Sequence, residues 1–150
     1  MRAIKGRRPS VRLLTAGRVF RPEHEDGTHL KVFNQADGIC VASDAIYEKL
    51  VETLNRLLSA VLGQVELQYT EMDFGIVDRG KEVYVMRKGD LVSVAGCGML
   101  KPEMLREAGH DPRVVSGFAF GLGLERLAMI KYGIDDVNEL WRPPYVQPKV

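Results

Sequence analysis

The sequence predicts an α+β fold in which an antiparallel β-sheet is flanked by helices, and three observations carry that prediction. Several extended runs are separated by turn-forming residues, which favours hairpins and antiparallel pairing. Two longer segments place apolar residues at helical spacing. Strands and helices do not alternate as the βαβ units of a parallel sheet require. A chain of 150 residues suffices for one domain with one core, and residues 1–150 read as that domain.

Taken in order, alternation in Val11–Leu14 and Arg18–Phe20 predicts two short strands joined by a turn at Ala16-Gly17. Glu23 to His29 has turn chemistry and separates Phe20 from a second extended run, Lys31 to Ala42, so the pair reads as a long hairpin with a polar tip. A helix follows, with Asp44 as N-cap, Ile46, Leu50, Leu54, Leu57, Leu58 and Val61 on one face, and Gly63 as its stop. Val65–Tyr69, Glu82–Met86 and Leu91–Gly98 read as strands, the last two joined by Arg87-Lys88-Gly89-Asp90. Pro102 and Gly109 frame a short helix. A last strand, Val115–Phe120, runs into a helix from about Leu122 to Tyr132.

Hydrophobic content of 45% and charged content of 27% are those of a soluble globular protein. No apolar run approaches the roughly 18 residues of a membrane span, and the N-terminus lacks the apolar stretch of a secretory signal. Cys40 and Cys97 stand in no metal or redox spacing, so reduced thiols in a cytoplasmic protein are expected. The net charge of +1 conceals a basic block: residues 1–21 carry Arg2, Lys5, Arg7, Arg8, Arg12, Arg18 and Arg21 and no acidic residue. Such a block attracts phosphate, of a nucleotide or of RNA; the alternative for Arg2 to Arg8 is a solvated terminus.

Two constellations can carry chemistry. Gly121-Leu122-Gly123-Leu124-Glu125-Arg126 lies at a strand-to-helix junction. Its sixth position is Arg rather than Gly and its setting is antiparallel, so a dinucleotide fold is a poor reading. Glycines there let a ligand approach the backbone, and an Arg in the first helical turn can grip phosphate with its planar fork. The structural alternative pairs Arg126 with Asp135 or Asp136. Phe20-Arg21-Pro22-Glu23 ends a strand. An Arg placed there can neutralise an α-phosphate, Glu23 can accept from an adenine amino group, and Phe33 can offer a stacking face. F-R-x-E alone is a weak signal. His24 and His29 suit no strong metal site, Asp73 and Asp78 read as turn residues, His110 as surface loop and Cys97 as packing.

Both pieces, in this order and about 100 residues apart on an antiparallel scaffold, resemble motifs 2 and 3 of class II aminoacyl-tRNA synthetases. Motif 2 falls near residues 17–38 and motif 3 near 116–132. The strings Gly17-Arg18-Val19-Phe20-Arg21, Asp26-Gly27-Thr28-His29, Phe33-Asn34-Gln35-Ala36-Asp37-Gly38, Gly96-Cys97-Gly98-Met99 and Ser116 through Asp136 are similar to the phenylalanyl-tRNA synthetase α-subunit family. The resemblance implies ATP-dependent activation of an amino acid, phenylalanine or a related one, to an adenylate for transfer to tRNA. It implies ATP and Mg2+ as cofactors. Arg21 and Arg126 would be catalytic, on the α- and γ-phosphates. Glu23 would hold adenine, His29 the outer phosphates and Phe33 the adenine face, with Gly121 and Gly123 beneath. Glu71 would lie near magnesium. Gln35 and Asp37 would contact the substrate's amino group, and Leu67, Tyr69, Gly96, Gly98 and Ala119 its side-chain pocket.

The departures qualify this. Motif 1 and a histidine–threonine–serine segment precede the matched region in the family, so the expectation is a chain that begins after them. It would need a homo- or hetero-oligomeric partner to complete the interface. Where the family has Phe-Pro-Phe-Thr-Glu-Pro, this chain has Leu67-Gln68-Tyr69-Thr70-Glu71-Met72, and Asn34 and Asp37 replace a histidine and a glutamate. An altered aromatic wall changes side-chain selection, and Tyr69 adds a hydroxyl favouring a polar or smaller substrate. Two competing readings are a non-catalytic paralogue that binds ATP, and an RNA-binding module using the basic N-terminus.

Overall fold

A computed structural model describes residues 2–20 and 31–141. The expectations for Arg21, Glu23 and His29, and for the hairpin tip, lie outside the described residues.

Six strands form one sheet: β1 (Val11–Phe20), β2 (Val32–Ala42), β3 (Leu67–Glu71), β4 (Val77–Arg87), β5 (Asp90–Leu100) and β6 (Ser116–Gly123). Their spatial order is β1-β2-β6-β5-β4-β3, and every pairing is antiparallel. Three helices accompany it: α1 (Tyr47–Leu62), α2 (Pro102–Glu107) and α3 (Leu124–Tyr132). The α+β expectation is thereby met.

Successive side chains of a strand point to opposite faces, so each strand divides its residues between two layers. On one face Ala36, Cys40, Val83, Val85, Cys97, Phe118, Phe120 and Leu122 pack against α1 and α3. Leu50, Leu54 and Leu58, one helical turn apart, are the fully buried stripe of α1. On the other face a smaller cluster gathers Val11, Val41, Val77 and Leu100 under Leu105 of α2 and Ile4. That second layer covers only one end of its face. The uncovered remainder holds the candidate site.

Several boundaries differ from the sequence expectation. β1 runs unbroken through Ala16-Gly17, because its register with β2 is continuous from Val11↔Val41 to Phe20↔Val32. A cross-strand ladder outweighs the local turn preference of one glycine. α1 begins after Ile46, not Asp44, whose carboxylate is taken by Lys49. β6 continues to Gly123, still paired with Gln35, so α3 starts two residues later than the glycines suggest. The Arg87–Asp90 turn is confirmed, with Lys88 and Gly89 both at positive φ, 50° and 94°.

The basic N-terminus is docked. Ile4 is buried, the Gly6 amide donates to the Ala108 carbonyl at 3.3 Å, and His110 Nε2 lies 3.3 Å from the Ile4 carbonyl oxygen. His110, expected on the surface, is therefore buried, because this segment folds over it.

Candidate active site

The site begins with three neighbouring strands whose facing positions are small. Across β2, β6 and β5 the register aligns Gln35 with Gly123, Asp37 with Gly121, Gly121 with Gly96, and Ala119 with Gly98. The result is a shallow floor along β6, with longer side chains rising from β2. A cavity of about 880 Å³ stands over it, lined by Phe33, Gln35, Asp37, Gly96, Ala119, Gly121, Gly123 and Arg126 among others. The structure thus brings together eight of the residues singled out in the sequence.

Gln35 Nε2 donates to Asp37 Oδ1 at 2.6 Å. This pair lies directly across Gly121, where an added β-carbon would come within 2.9 Å of the carboxylate and 3.0 Å of the amide nitrogen. A larger residue there would have to displace the Gln35–Asp37 pair from the floor. At the strand-to-helix junction Glu125, only 8% exposed, accepts from the Asn34 amide at 2.9 Å and from Asn34 Nδ2 at 2.9 Å. This carboxylate fixes α3 against the start of β2. The next residue, Arg126, is anchored by a 3.0 Å hydrogen bond from a guanidinium nitrogen to the Ser93 carbonyl. Asp135 is held by Arg87 at 2.9 Å and Lys88 at 2.8 Å.

Four expected residues stand elsewhere. Leu67 and Tyr69 pair with Val85 and Val83 and share their face, packing on the helical core rather than in the cavity. The aromatic spacing was legible, but the side of the sheet to which it pointed was not. Burial pushes the Tyr69 hydroxyl up to about 12. Gly98 is roofed by Val77, whose Cγ2 would lie 2.6 Å from an added β-carbon. The Glu71 carboxylate is 91% exposed, paired with Lys81 at 3.1 Å, and borders a separate crevice with Asp73 and Asp78.

The cavity also contains residues the sequence did not flag. Glu82, aligned with Gly96, accepts a short hydrogen bond from Ser93 Oγ, and both line the cavity. Phe74 and Ile76 enter from the β3–β4 loop, and Arg7 lies at the margin. Only the alternation of β4, with Glu82 on the face opposite Val83 and Val85, carried a signal for any of these. Among the described residues no group of three or more His, Cys, Asp or Glu is placed to hold a metal. Cys40 and Cys97 are buried free thiols, and burial raises Cys97 to about 11, as a packing role requires. No described helix is long and apolar enough to cross a membrane.

A sheet of this topology with a glycine-floored cleft and an arginine at the head of the following helix defines a class. The family model described as tRNA synthetases class II core domain (F) matches residues 1–147, and the chain belongs to that family. Its relatives include phenylalanine–tRNA ligase alpha subunits. That of Prochlorococcus marinus (strain NATL2A) is 35% identical over 94% of this chain and 42% of its own length. That of Proteus mirabilis (strain HI4320) is 37% identical over 94% of this chain and 43% of its own. The chain thus spans less than half the length of these relatives. Among solved structures, pyrrolysyl-tRNA synthetase from Desulfitobacterium hafniense superposes with a TM-score of 0.66. At 20% identity over 92% of this chain and 47% of that one, it supports the fold alone.

Proposed function

We propose that residues 1–150 form one ATP-binding domain of a synthetase-type ligase. It activates an amino acid, phenylalanine or a related one, as an adenylate for transfer to tRNA. The observation that carries this reading is the glycine floor at Gly121 and Gly123, with the Gln35–Asp37 pair over Gly121 and Arg126 lining the same cavity. A triphosphate needs close backbone approach and a fixed cation; an α-amino group needs a carboxylate. The floor, Arg126 and Asp37 offer all three.

In this reading Phe33 gives the adenine a flat apolar contact. Arg126 holds the outer phosphate through charge-assisted hydrogen bonds. Asp37, oriented by Gln35, receives the substrate's ammonium group and aims its carboxylate along the floor toward the α-phosphorus. Attack there forms the acyl–phosphate bond and releases pyrophosphate. The protein contributes position and charge rather than a nucleophile. Arg21 on the α-phosphate, Glu23 on adenine and His29 on the outer phosphates complete the proposal. Magnesium, which favours phosphate oxygens together with one or two carboxylates, would be held here by Glu71 or Glu82 and would supply charge neutralisation. Glu82, held by Ser93 inside the cavity, suits it better than the outward-facing Glu71. Transfer to tRNA, a partner subunit and a cytoplasmic location belong to the same proposal.

ATP–pyrophosphate exchange, measured with each of the twenty amino acids, alone and with a candidate partner subunit, tests it. Exchange with one or a few, lost in Arg126→Ala, is the expected result. ATP binding without exchange under any condition would instead support a non-catalytic, nucleotide-binding paralogue.

A further inference from the structure

The basic N-terminal segment is fastened to the rim of the cavity. Ile4, 1% exposed, seats it in the smaller apolar cluster. Two tight turns surround that anchor: the Lys5 amide donates to the Arg2 carbonyl and the Arg7 amide to the Ile4 carbonyl, each at 3.2 Å. Gly6 lies between them at a φ of 71°. With Ile4 turned inward, Arg2, Lys5, Arg7 and Arg8 are all exposed. Among the described residues no carboxylate pairs with any of the four. Their charges therefore add to one positive field over the rim. Arg7 lines the cavity itself, as does Thr15, the cross-strand partner of Asp37. The cluster that seats Ile4 also takes in Leu13 and Ile39, the next pair along that face from Thr15 and Asp37. The segment thus meets the cavity at its β1–β2 end, whereas Arg126 is tied to Ser93 on β5.

We propose that the segment from Arg2 to Arg8 receives the last phosphodiesters of a single-stranded RNA 3′ end, with Arg7 on the final phosphate, and delivers its terminal ribose to the cavity. This rests on the synthetase reading, in which the adenylate runs from Asp37 over Gly121 toward Arg126. Acyl transfer then requires a ribose hydroxyl oxygen to attack the acyl carbon. The new ester bond forms as the acyl–phosphate bond breaks, adenosine monophosphate departs, and the hydroxyl proton goes to the departing phosphate. The nucleotide fills the floor on the β6 side of Asp37, so the acceptor has the β1 side, where Thr15 and Arg7 stand. A guanidinium there can grip a phosphodiester through two parallel charge-assisted hydrogen bonds. Arg8, Lys5 and Arg2 continue the positive surface outward along the strand. Contacts of this kind fix position on the nucleic acid without reading its bases, which suits one end delivered to one site.

Fluorescence anisotropy of a single-stranded RNA labelled at its 5′ end, titrated with the full chain at rising salt and beside an ATP-binding measurement, tests this. Affinity should fall steeply with salt. Arg7→Gln should weaken binding about five-fold at about 0.1 M salt and reduce the slope of log K against log salt by about 0.7, the share of one phosphate contact on a single strand. Arg7→Lys keeps the charge and should keep the slope. Joint replacement of Arg2, Lys5 and Arg8 by Gln should reduce the slope by about 2. Arg56→Gln, an exposed cation on α1, should change neither quantity. The same RNA joined end to end into a circle lacks a terminal ribose and should bind more weakly. Equal binding of the circle, an unchanged slope in Arg7→Gln, or an equal loss in Arg56→Gln overturns the proposal. So does binding to anionic lipid vesicles in place of RNA. ATP binding without RNA binding overturns this proposal and leaves the synthetase reading standing. Failure to bind ATP overturns that reading, and this proposal with it.

Discussion

Glu125 and Asn34, 91 positions apart in the chain, are joined by hydrogen bonds of 2.9 Å from both the backbone amide and the side-chain amide of the asparagine. The two residues flanking Asn34, Phe33 and Gln35, line the cavity, and the residue after Glu125 is Arg126. One carboxylate therefore sets the distance between the strand bearing Phe33 and Gln35 and the helix bearing Arg126. Glu125→Ala would leave two donors without partners in a largely buried setting, at a cost of about 2 kcal/mol in folding stability. Glu125→Gln keeps an acceptor oxygen and should lose about half of that. Urea denaturation midpoints of the three proteins check the order.

Tyr69 carries a buried hydroxyl that meets no partner among the described residues. Removing an unsatisfied polar atom should help, so Tyr69→Phe is expected to raise stability by about 1 kcal/mol at neutral pH. The variant also bears on alkaline behaviour. Desolvation raises this hydroxyl from 10.0 to about 12, and the Cys97 thiol from 9.0 to about 11. A group held protonated by the fold contributes stability that is complete below its unfolded pKa and is lost as pH climbs to its folded one. Stability should therefore decline from about pH 9 to pH 12. Tyr69→Phe should flatten the upper part of that decline, between about pH 10 and 12. Thermal melts across pH 8 to 12 check it; an unchanged upper limb would count against the burial argument.

Gly38 on β2 faces the ring of Phe120 on β6, where an added β-carbon would lie 2.1 Å from Cζ and 2.4 Å from Cε1. Gly38→Ala forces that ring out of the helical core, with an expected loss of about 1–3 kcal/mol, typical of overpacking. Gly17→Ala on the edge strand β1 meets nothing within 4 Å and should be close to neutral. Comparing the two denaturation curves separates steric contact from strand propensity.

Leu54 lies in the middle of the buried stripe of α1. Leu54→Ala should cost about 2–5 kcal/mol through lost transfer energy and the space left behind. By contrast Leu14, 66% exposed on β1, should tolerate the same change with little effect on melting temperature.

The sequence alone determined the chemistry of each element. Apolar spacing from Leu50 to Val61 marked α1, turn residues at Lys88-Gly89 marked the β4–β5 hairpin, and Gly121 to Arg126 marked the glycine-rich strand-to-helix junction. Those signals are local: period, turn geometry and backbone freedom act over a few residues. The face to which a residue points was not local. A period of two says that neighbours alternate, yet only pairing with Val83 and Val85 sent Tyr69 and Leu67 to the helical side. Only the register across β4 and β5 set Glu82 beside Gly96. Phe74, with no periodic neighbours, reached the cavity because a hydrogen-bonded loop carried it there. Contacts between distant segments exist only once the sheet has assembled, and in this protein they decide what the cavity touches.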